Sequence, residues 1–341
     1  MIFYFFASLN FLLMSQLLKN NIKILTMSSD PETVPEKCPG FGSKEAGKAS
    51  TCNNCSLQKY CGKPDPDIPL IKEALSKVKN KIIILSGKGG VGKSTLTTNL
   101  SLALAQDEDI DVGVFDIDIC APSIPRMLGV MNEESYVSSS GYSPIYKENI
   151  AVMSTGFLTD EDSCISYLGG KKDNIIKKLL KKVNWDVLDY LLIDTPPGTS
   201  NEHITITRIL GEIGVNGAVI VTTPQEVSLL DVRKQLTFLK RVNVPVIGMV
   251  ENMSTFFCGN CGKPSQIFPN SIQQNVAQTC DEMQIELLAT IPTDQKVARC
   301  CDEGKSLFEE FPESSVAKSY KSIAEYVVEY CEKNGPFKKS V

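Results

Sequence analysis

Apolar positions from residue 81 onward fall into short runs separated by amphipathic stretches. The runs lie at 81–86 (KIIILS), 111–118 (DVGVFDID), 150–155, 187–195, 215–223, 244–252 and 285–292. Most are continuous rather than alternating, the pattern of a strand in a parallel sheet covered on both faces. Helical periodicity fills 93–106, 171–183, 202–213, 226–241, 271–283 and 315–333, and 70–79 reads as a short helical lead-in. Alternating β and α segments predict an α/β fold: a doubly wound, mostly parallel sheet with helices on both faces. Ligands of such sheets bind at the carboxyl ends of the strands. No internal repeat is visible.

The first part of the chain breaks this pattern. Residues 31–69 are rich in Pro, Gly, Lys and Cys and show no periodicity. A segment of that composition cannot pack a core alone and is expected to be ordered by a metal or a partner. Residues 2–14 (IFYFFASLNFLLM) are mostly apolar but shorter than a spanning helix of ~20 residues. No basic residue precedes them, so a signal peptide fits poorly. Three readings stand: an upstream start with Met27 as the working one, a weak membrane anchor within residues 1–18, or a targeting segment. The expected division is a leader over 1–30, a cysteine segment over 31–69 and the α/β domain over 70–335.

Composition narrows the chemistry. The net charge of −5 argues against a general affinity for nucleic-acid backbone, which needs a basic face. The lysine-rich stretch 171–182 reads as a solvated helix face. With one histidine, His203, sites built from several histidines are excluded. Twelve cysteines beside a nucleotide loop fit metal binding in a reducing, cytoplasmic compartment better than disulfides.

That loop is Gly87-Lys88-Gly89-Gly90-Val91-Gly92-Lys93-Ser94, followed by Thr95. It fits G-x-x-x-x-G-K-[ST], follows a strand and opens a helix, the context the motif requires. Its glycines let backbone N–H groups turn toward phosphate oxygens, and the helix N-terminus favours negative charge. Lys93 is the phosphate lysine, and Ser94 is placed to ligate Mg²⁺ beside ATP. Asp116 and Asp118 close the second run and Asp194 the fourth; carboxylates there suit Mg²⁺–water contacts and the orientation of an attacking water.

Two cysteine groups have metal-ligand spacing. Cys38, Cys52, Cys55 and Cys61 follow C-x₁₃-C-x₂-C-x₅-C, a donor set for a [4Fe–4S] cluster or zinc. Cys258 and Cys261 form C-G-N-C, half of a four-ligand site, completed elsewhere in the chain or by a second copy across a two-fold axis. Cys120, Cys164, Cys280, Cys300, Cys301 and Cys331 lack such spacing and are expected to be mostly buried small apolar residues.

GKGGVGKST at 87–95 resembles the deviant phosphate loop of MinD, nitrogenase iron protein and Mrp ATPases. Together with DIDICAPSIPRMLG at 116–129, LDYLLIDTPPGTSNEH at 188–203, TTPQEVSLLDVRK at 222–234 and ENMSTFFCGNCG at 251–262, the chain resembles the Mrp/NBP family of iron–sulfur assembly ATPases. Its four-cysteine segment is similar to that of the family's larger eukaryotic cytosolic members. The resemblance implies that Lys88 reaches a partner's nucleotide across a dimer. It implies that Asp118 orients water and Asp194 acts as the Walker B carboxylate, and that Asn252 and the loop at Pro292 hold adenine. It further implies two kinds of [4Fe–4S] cluster: a stable one on Cys38, Cys52, Cys55 and Cys61, and a transferable one bridging two Cys258/Cys261 pairs. The implied partners are a second copy, or a smaller homologous ATPase in a heterotetramer, together with apo iron–sulfur proteins of cytosol and nucleus as recipients and downstream targeting factors. The chain departs from the family pattern at Ala121, at Tyr167-Leu168-Gly169-Gly170 and at Asn201-Glu202-His203, so slow or partner-dependent hydrolysis is expected. Rival readings are an ATP-driven reductase like the iron protein and a zinc-stabilised, MinD-like positioning ATPase.

Overall fold

The computed structural model describes residues 45, 47–53, 58, 65–138, 141–158, 169–198, 201–258, 261–268 and 275–335. They fall into two compact units, Met1–Lys63 and Pro64–Val341. In the first, a 3₁₀ turn at Ser50–Cys52 buries Cys52. Cys38, Cys55 and Cys61, expected from the sequence to share a metal with it, and the apolar leader lie outside the described residues.

The second unit is built on eight strands: β1 (Val78–Ser86), β2 (Val112–Asp116), β3 (Ile145–Lys147), β4 (Ile150–Ser154), β5 (Leu188–Asp194), β6 (Gly217–Thr222), β7 (Val246–Glu251) and β8 (Leu287–Thr290). Their spatial order is β8-β7-β6-β1-β5-β2-β4-β3. Every pairing is parallel except that of the edge strand β3 with β4. The principal helices are α1 (Ile68–Ala74), α2 (Lys93–Leu104), α3 (Gly169–Lys182), α4 (Asn201–Ile213), α5 (Glu226–Val242), α6 (Val276–Met283), α7 (Gln295–Glu303) and α8 (Ser315–Asn334).

Strand alternation divides the core into two layers. Along β1, Ile82 and Ile84 face the layer formed with Leu96 and Leu100 of α2 and Val316, Tyr320 and Ile323 of α8. Ile83 and Leu85 face the opposite layer, with Leu179 of α3, Ile206 of α4 and Leu236 of α5. Burial on both faces accounts for the continuous apolar runs.

The lead-in helix differs from expectation. It stops at Ala74, and Val78–Asn80 belongs to β1. The polar residues that disguise this strand start are satisfied, Asn80 by distant partners and the Lys81 ammonium by a local carbonyl. Asn80 donates to the Asp189 carbonyl at 3.1 Å and accepts from Asn216 Nδ2 at 2.8 Å, while Lys81 Nζ donates to the Val78 carbonyl at 2.7 Å. A buried polar group so paired avoids the desolvation cost that would otherwise exclude it from a central strand. The edge strand β3 and helix α7 are also absent from the sequence pattern. Cys280, Cys300, Cys301 and Cys331 are buried as expected; Cys120 is exposed. Among the described residues no helix is long and apolar enough to cross a membrane.

Candidate functional site

Parallel strands deliver their following loops to one end of the sheet, so β1, β2, β5, β7 and β8 bring five predicted segments together. Gly92 has a left-handed backbone (φ +86°) where the loop enters α2. An added Cβ there would meet Asn252 Nδ2 at 2.1 Å. The left-handed backbone favours glycine, and a larger residue would also have to displace the Asn252 side chain. At the other end of the loop, a Cβ on Gly87 would lie 2.9 Å from Asp231 Cβ of α5.

Asp194, fully buried at the end of β5, organises the centre. Its Oδ2 accepts from Lys93 Nζ at 2.5 Å and Ser94 Oγ at 2.7 Å, and its Oδ1 accepts from Thr97 Oγ1 at 2.6 Å. Thr97 was not anticipated, although it lies one helical turn beyond Lys93 and so shares its face. Removing one partner from a buried pair of this kind typically costs ~3–5 kcal/mol, because the other charge is left uncompensated.

Asp116, paired in register with Asp194, is also buried. It accepts from Ser154 Oγ at 2.9 Å and the Asp118 amide at 3.1 Å. Burial and the neighbouring Asp194 charge push its carboxyl well above the usual carboxylate range, against the pull of Lys93. Burial also raises Asp118, whose Oδ1 accepts the Ala121 amide at 3.3 Å. The switch around Ala121 thus keeps a backbone contact to the predicted water-orienting carboxylate.

The segment after β5 is laced to the loop by Gly198 N, which donates to the Ser86 carbonyl at 3.0 Å. Gln235 Nε2 reaches the same carbonyl at 2.8 Å. Thr195 Oγ1 lies 3.2 Å from His203 Nε2 in α4. His203 is buried with no hydrogen-bond partner at Nδ1. Burial, reinforced by Lys93, pulls its pKa down to about 4.

Beyond β7, Asn252 Nδ2 donates to the Val91 carbonyl of the loop at 2.9 Å. The next residues join the loop after β8: Ser254 N donates to the Ile291 carbonyl at 3.0 Å and Thr293 N to the Thr255 carbonyl at 2.8 Å. Phe256–Phe257 then pairs with Pro264–Ser265 in a short hairpin bearing Cys258 and Cys261. Gly262 N donates to the Cys258 carbonyl at 2.8 Å, and Cys258 N to the Lys263 carbonyl at 3.1 Å. Cys261 is exposed and Cys258 half-buried. Among the described residues no three or more His, Cys, Asp or Glu side chains converge as a metal site.

The site thus joins a glycine-rich loop, its lysine on a strand-end carboxylate, to a C-x-x-C hairpin, and comparison with known proteins names a family for the chain. The NUBPL iron-transfer P-loop NTPase model of the ParA group matches residues 77–328. The chain belongs to this family. The cytosolic Fe–S cluster assembly factor NBP35 of Kluyveromyces lactis is 50% identical over 300 residues, 86% of this chain and 92% of that protein. Residues 64–341 alone make up less of the chain than that share, so the match extends into the N-terminal segment. Among solved structures, the nucleotide-binding protein of Archaeoglobus fulgidus, in complex with ADP, is 35% identical (TM-score 0.60), covering 73% of this chain and 98% of that one. The cell-division ATPase MinD of Pyrococcus furiosus is 25% identical (TM-score 0.52), covering 74% and 99%. The fold and the P-loop NTPase class expected from the sequence are thereby established.

Family membership makes two features of this site testable. Gly92→Ala should lower nucleotide affinity by about tenfold or more, through left-handed strain and displacement of Asn252, while far-ultraviolet dichroism stays unchanged; affinity equal to wild type would remove the preference for glycine. His203 is neutral in the fold and protonates more readily once unfolded, so its contribution is complete above its ordinary value of 6.5 and is lost as pH falls toward 4. The stability gap between wild type and His203→Gln, read from denaturant midpoints, should shrink across that window by up to roughly 3 kcal/mol. A gap independent of pH would contradict burial of a neutral imidazole.

Proposed function

We propose that this protein is an ATP-dependent scaffold that assembles [4Fe–4S] clusters and delivers them to apoproteins in the cytosol. The observation that carries this reading is the short bonded path from phosphate loop to cysteine hairpin: Val91 carbonyl, Asn252 side chain, Ser254 backbone, Cys258. A change at the nucleotide displaces the hairpin through these contacts, because backbone hydrogen bonds on both sides leave little slack. The name of the K. lactis relative, 50% identical, points to the same activity.

The donor set fits ATP with Mg²⁺. Gly87–Ser94 supplies the backbone cradle and Lys93 the phosphate cation. Ser94 Oγ and Asp194 Oδ2, already 2.7 Å apart, are the groups that would hold the metal. Bound there, Mg²⁺ would neutralise charge developing on the phosphates. Asp118 positions the attacking water, Asn252 and Pro292 border the base, and Lys88 serves the partner's nucleotide. Among the described residues the Lys88 ammonium has no ion-pair partner within its own chain.

Cys258 and Cys261, two ligands on an accessible hairpin, hold the cargo cluster jointly with a second copy or a smaller homologous ATPase. Four thiolates at Cys38, Cys52, Cys55 and Cys61 complete a coordination sphere within one chain and so hold the stable cluster. The proposed division is a leader over 1–30, a cluster segment over 31–69 and an ATPase domain over 70–335, the compact unit of that domain beginning at Pro64.

Anaerobic reconstitution with iron and sulfide tests the proposal. Analysis of iron, acid-labile sulfide and zinc, with EPR after reduction, should give a reducible [4Fe–4S] signal. Cys258→Ala/Cys261→Ala should keep that signal with a lower iron content per chain. Stoichiometric zinc without acid-labile sulfide would overturn the scaffold reading and leave a zinc-stabilised regulatory ATPase.

A further inference from the structure

Asp65 lies four positions after Cys61 and is the first residue described in the α/β unit after that cysteine. Its side chain, 8% exposed, is held by two cations from different helices. Lys177 Nζ of α3 lies 2.5 Å from Oδ2, and Arg208 Nη2 of α4 lies 2.7 Å from the same oxygen. The other oxygen, Oδ1, caps the following turn by accepting the Asp67 amide at 3.1 Å. A second bridge, Lys181 Nζ to Asp67 Oδ1 at 2.8 Å, repeats the link to α3 one helical turn along. Burial alone would raise the Asp65 carboxyl. Lys177, the Asp67 amide and Arg208 outweigh it and hold the group below the usual carboxylate range.

The helix that supplies Arg208 follows the segment after Asp194. Through His203, one turn and a half before Arg208, it touches Thr195, the neighbour of that carboxylate. A rigid helix therefore has the nucleotide-facing segment near one end and Asp65 on its flank. A buried carboxylate fixed by two part-buried cations cannot follow one helix without straining its bond to the other, so relative movement of α3 and α4 is transmitted to the chain at Asp65.

We propose that Asp65, through Arg208 and Lys177, is the positioning residue that couples nucleotide binding to the cluster on Cys38, Cys52, Cys55 and Cys61. The inference rests on the assignment of a cluster to those cysteines. Coupling is reciprocal: if nucleotide state alters the cluster segment, loading that segment alters nucleotide affinity by the same factor.

The test uses the full chain carrying Cys258→Ala/Cys261→Ala, so that only the N-terminal set can load. Affinity for a non-hydrolysable ATP analogue is measured by calorimetry before and after anaerobic reconstitution, with iron counted in each sample. The parent chain should show affinities differing by about fivefold or more. Asp65→Asn and Arg208→Met should bring the ratio to about one while retaining nucleotide binding and iron, and Asp65→Glu should restore much of it. Should Asp65→Asn not fold, Arg208→Met decides, since it leaves the Lys177 bridge in place. An unchanged ratio in the variants, or a ratio of one in the loaded parent, overturns the coupling. A parent chain that takes up no iron overturns it too, but through the cluster assignment, which the iron count identifies separately.

Discussion

The buried carboxylate of Asp194 is the constraint around which the α/β unit is arranged. It ends β5, the strand beside β1, and receives Lys93, Ser94 and Thr97 from the first turn and a half of α2. A charge at that depth is tolerable only because a cation and two hydroxyls meet it. The cost of losing any of them fixes the register of α2 on the sheet. Asp116 on the next strand feels the same charge and is held toward its protonated form. The nucleotide end of the molecule is therefore an electrostatic network in which changing one charge redistributes protons and hydrogen bonds among the rest.

That network reaches outward along two routes. Through Asn252 the phosphate loop is tied to the segment leading into the cysteine hairpin, and the hairpin's base shares backbone hydrogen bonds with the loop after β8. Through Thr195 and His203 the segment after β5 is tied to α4. Both routes are short and made of hydrogen bonds, the one through Thr195 and His203 buried and the one through Asn252 part-buried; such contacts are the physical requirement for a phosphate-sized event to be felt at a distance. Family kinship with MinD-like ATPases gives the common engine; the hairpin with Cys258 and Cys261 and the cysteine-bearing N-terminal segment are what this chain attaches to it.

Much of this was legible in the sequence, for identifiable reasons. Strands buried on both faces write themselves as apolar runs, so β1, β2 and β4 through β8 and the loops they carry could be placed directly. Gly87–Ser94 and the two cysteine spacings are local patterns with a chemical rationale. Features that depend on distant partners were not legible. The start of β1 looked helical because Asn80 and Lys81 are polar, and Asn80 is made acceptable in a strand by Asn216 and the Asp189 carbonyl, 136 and 109 residues away. The Asp65 bridges join residues 112 and 143 positions apart. Cys120, one of six cysteines expected to be mostly buried, is exposed with Lys172 Nζ 2.9 Å from its sulfur. Asn252 was singled out for the nucleotide base, yet its role as a strut against Val91 emerges only when β7 and the phosphate loop are seen side by side.

The central claim is that nucleotide and cluster chemistry are coupled through Asp194 and its neighbours. It is tested most directly by the rate of cluster transfer from loaded protein to an apo [4Fe–4S] acceptor, with and without Mg-ATP, in wild type and Asp194→Asn. The account predicts that ATP changes the wild-type rate by several-fold, and that Asp194→Asn takes up the same iron but transfers at a rate indifferent to nucleotide. Wild-type transfer that ignores ATP, or an Asp194→Asn variant that still responds to it, would contradict the account.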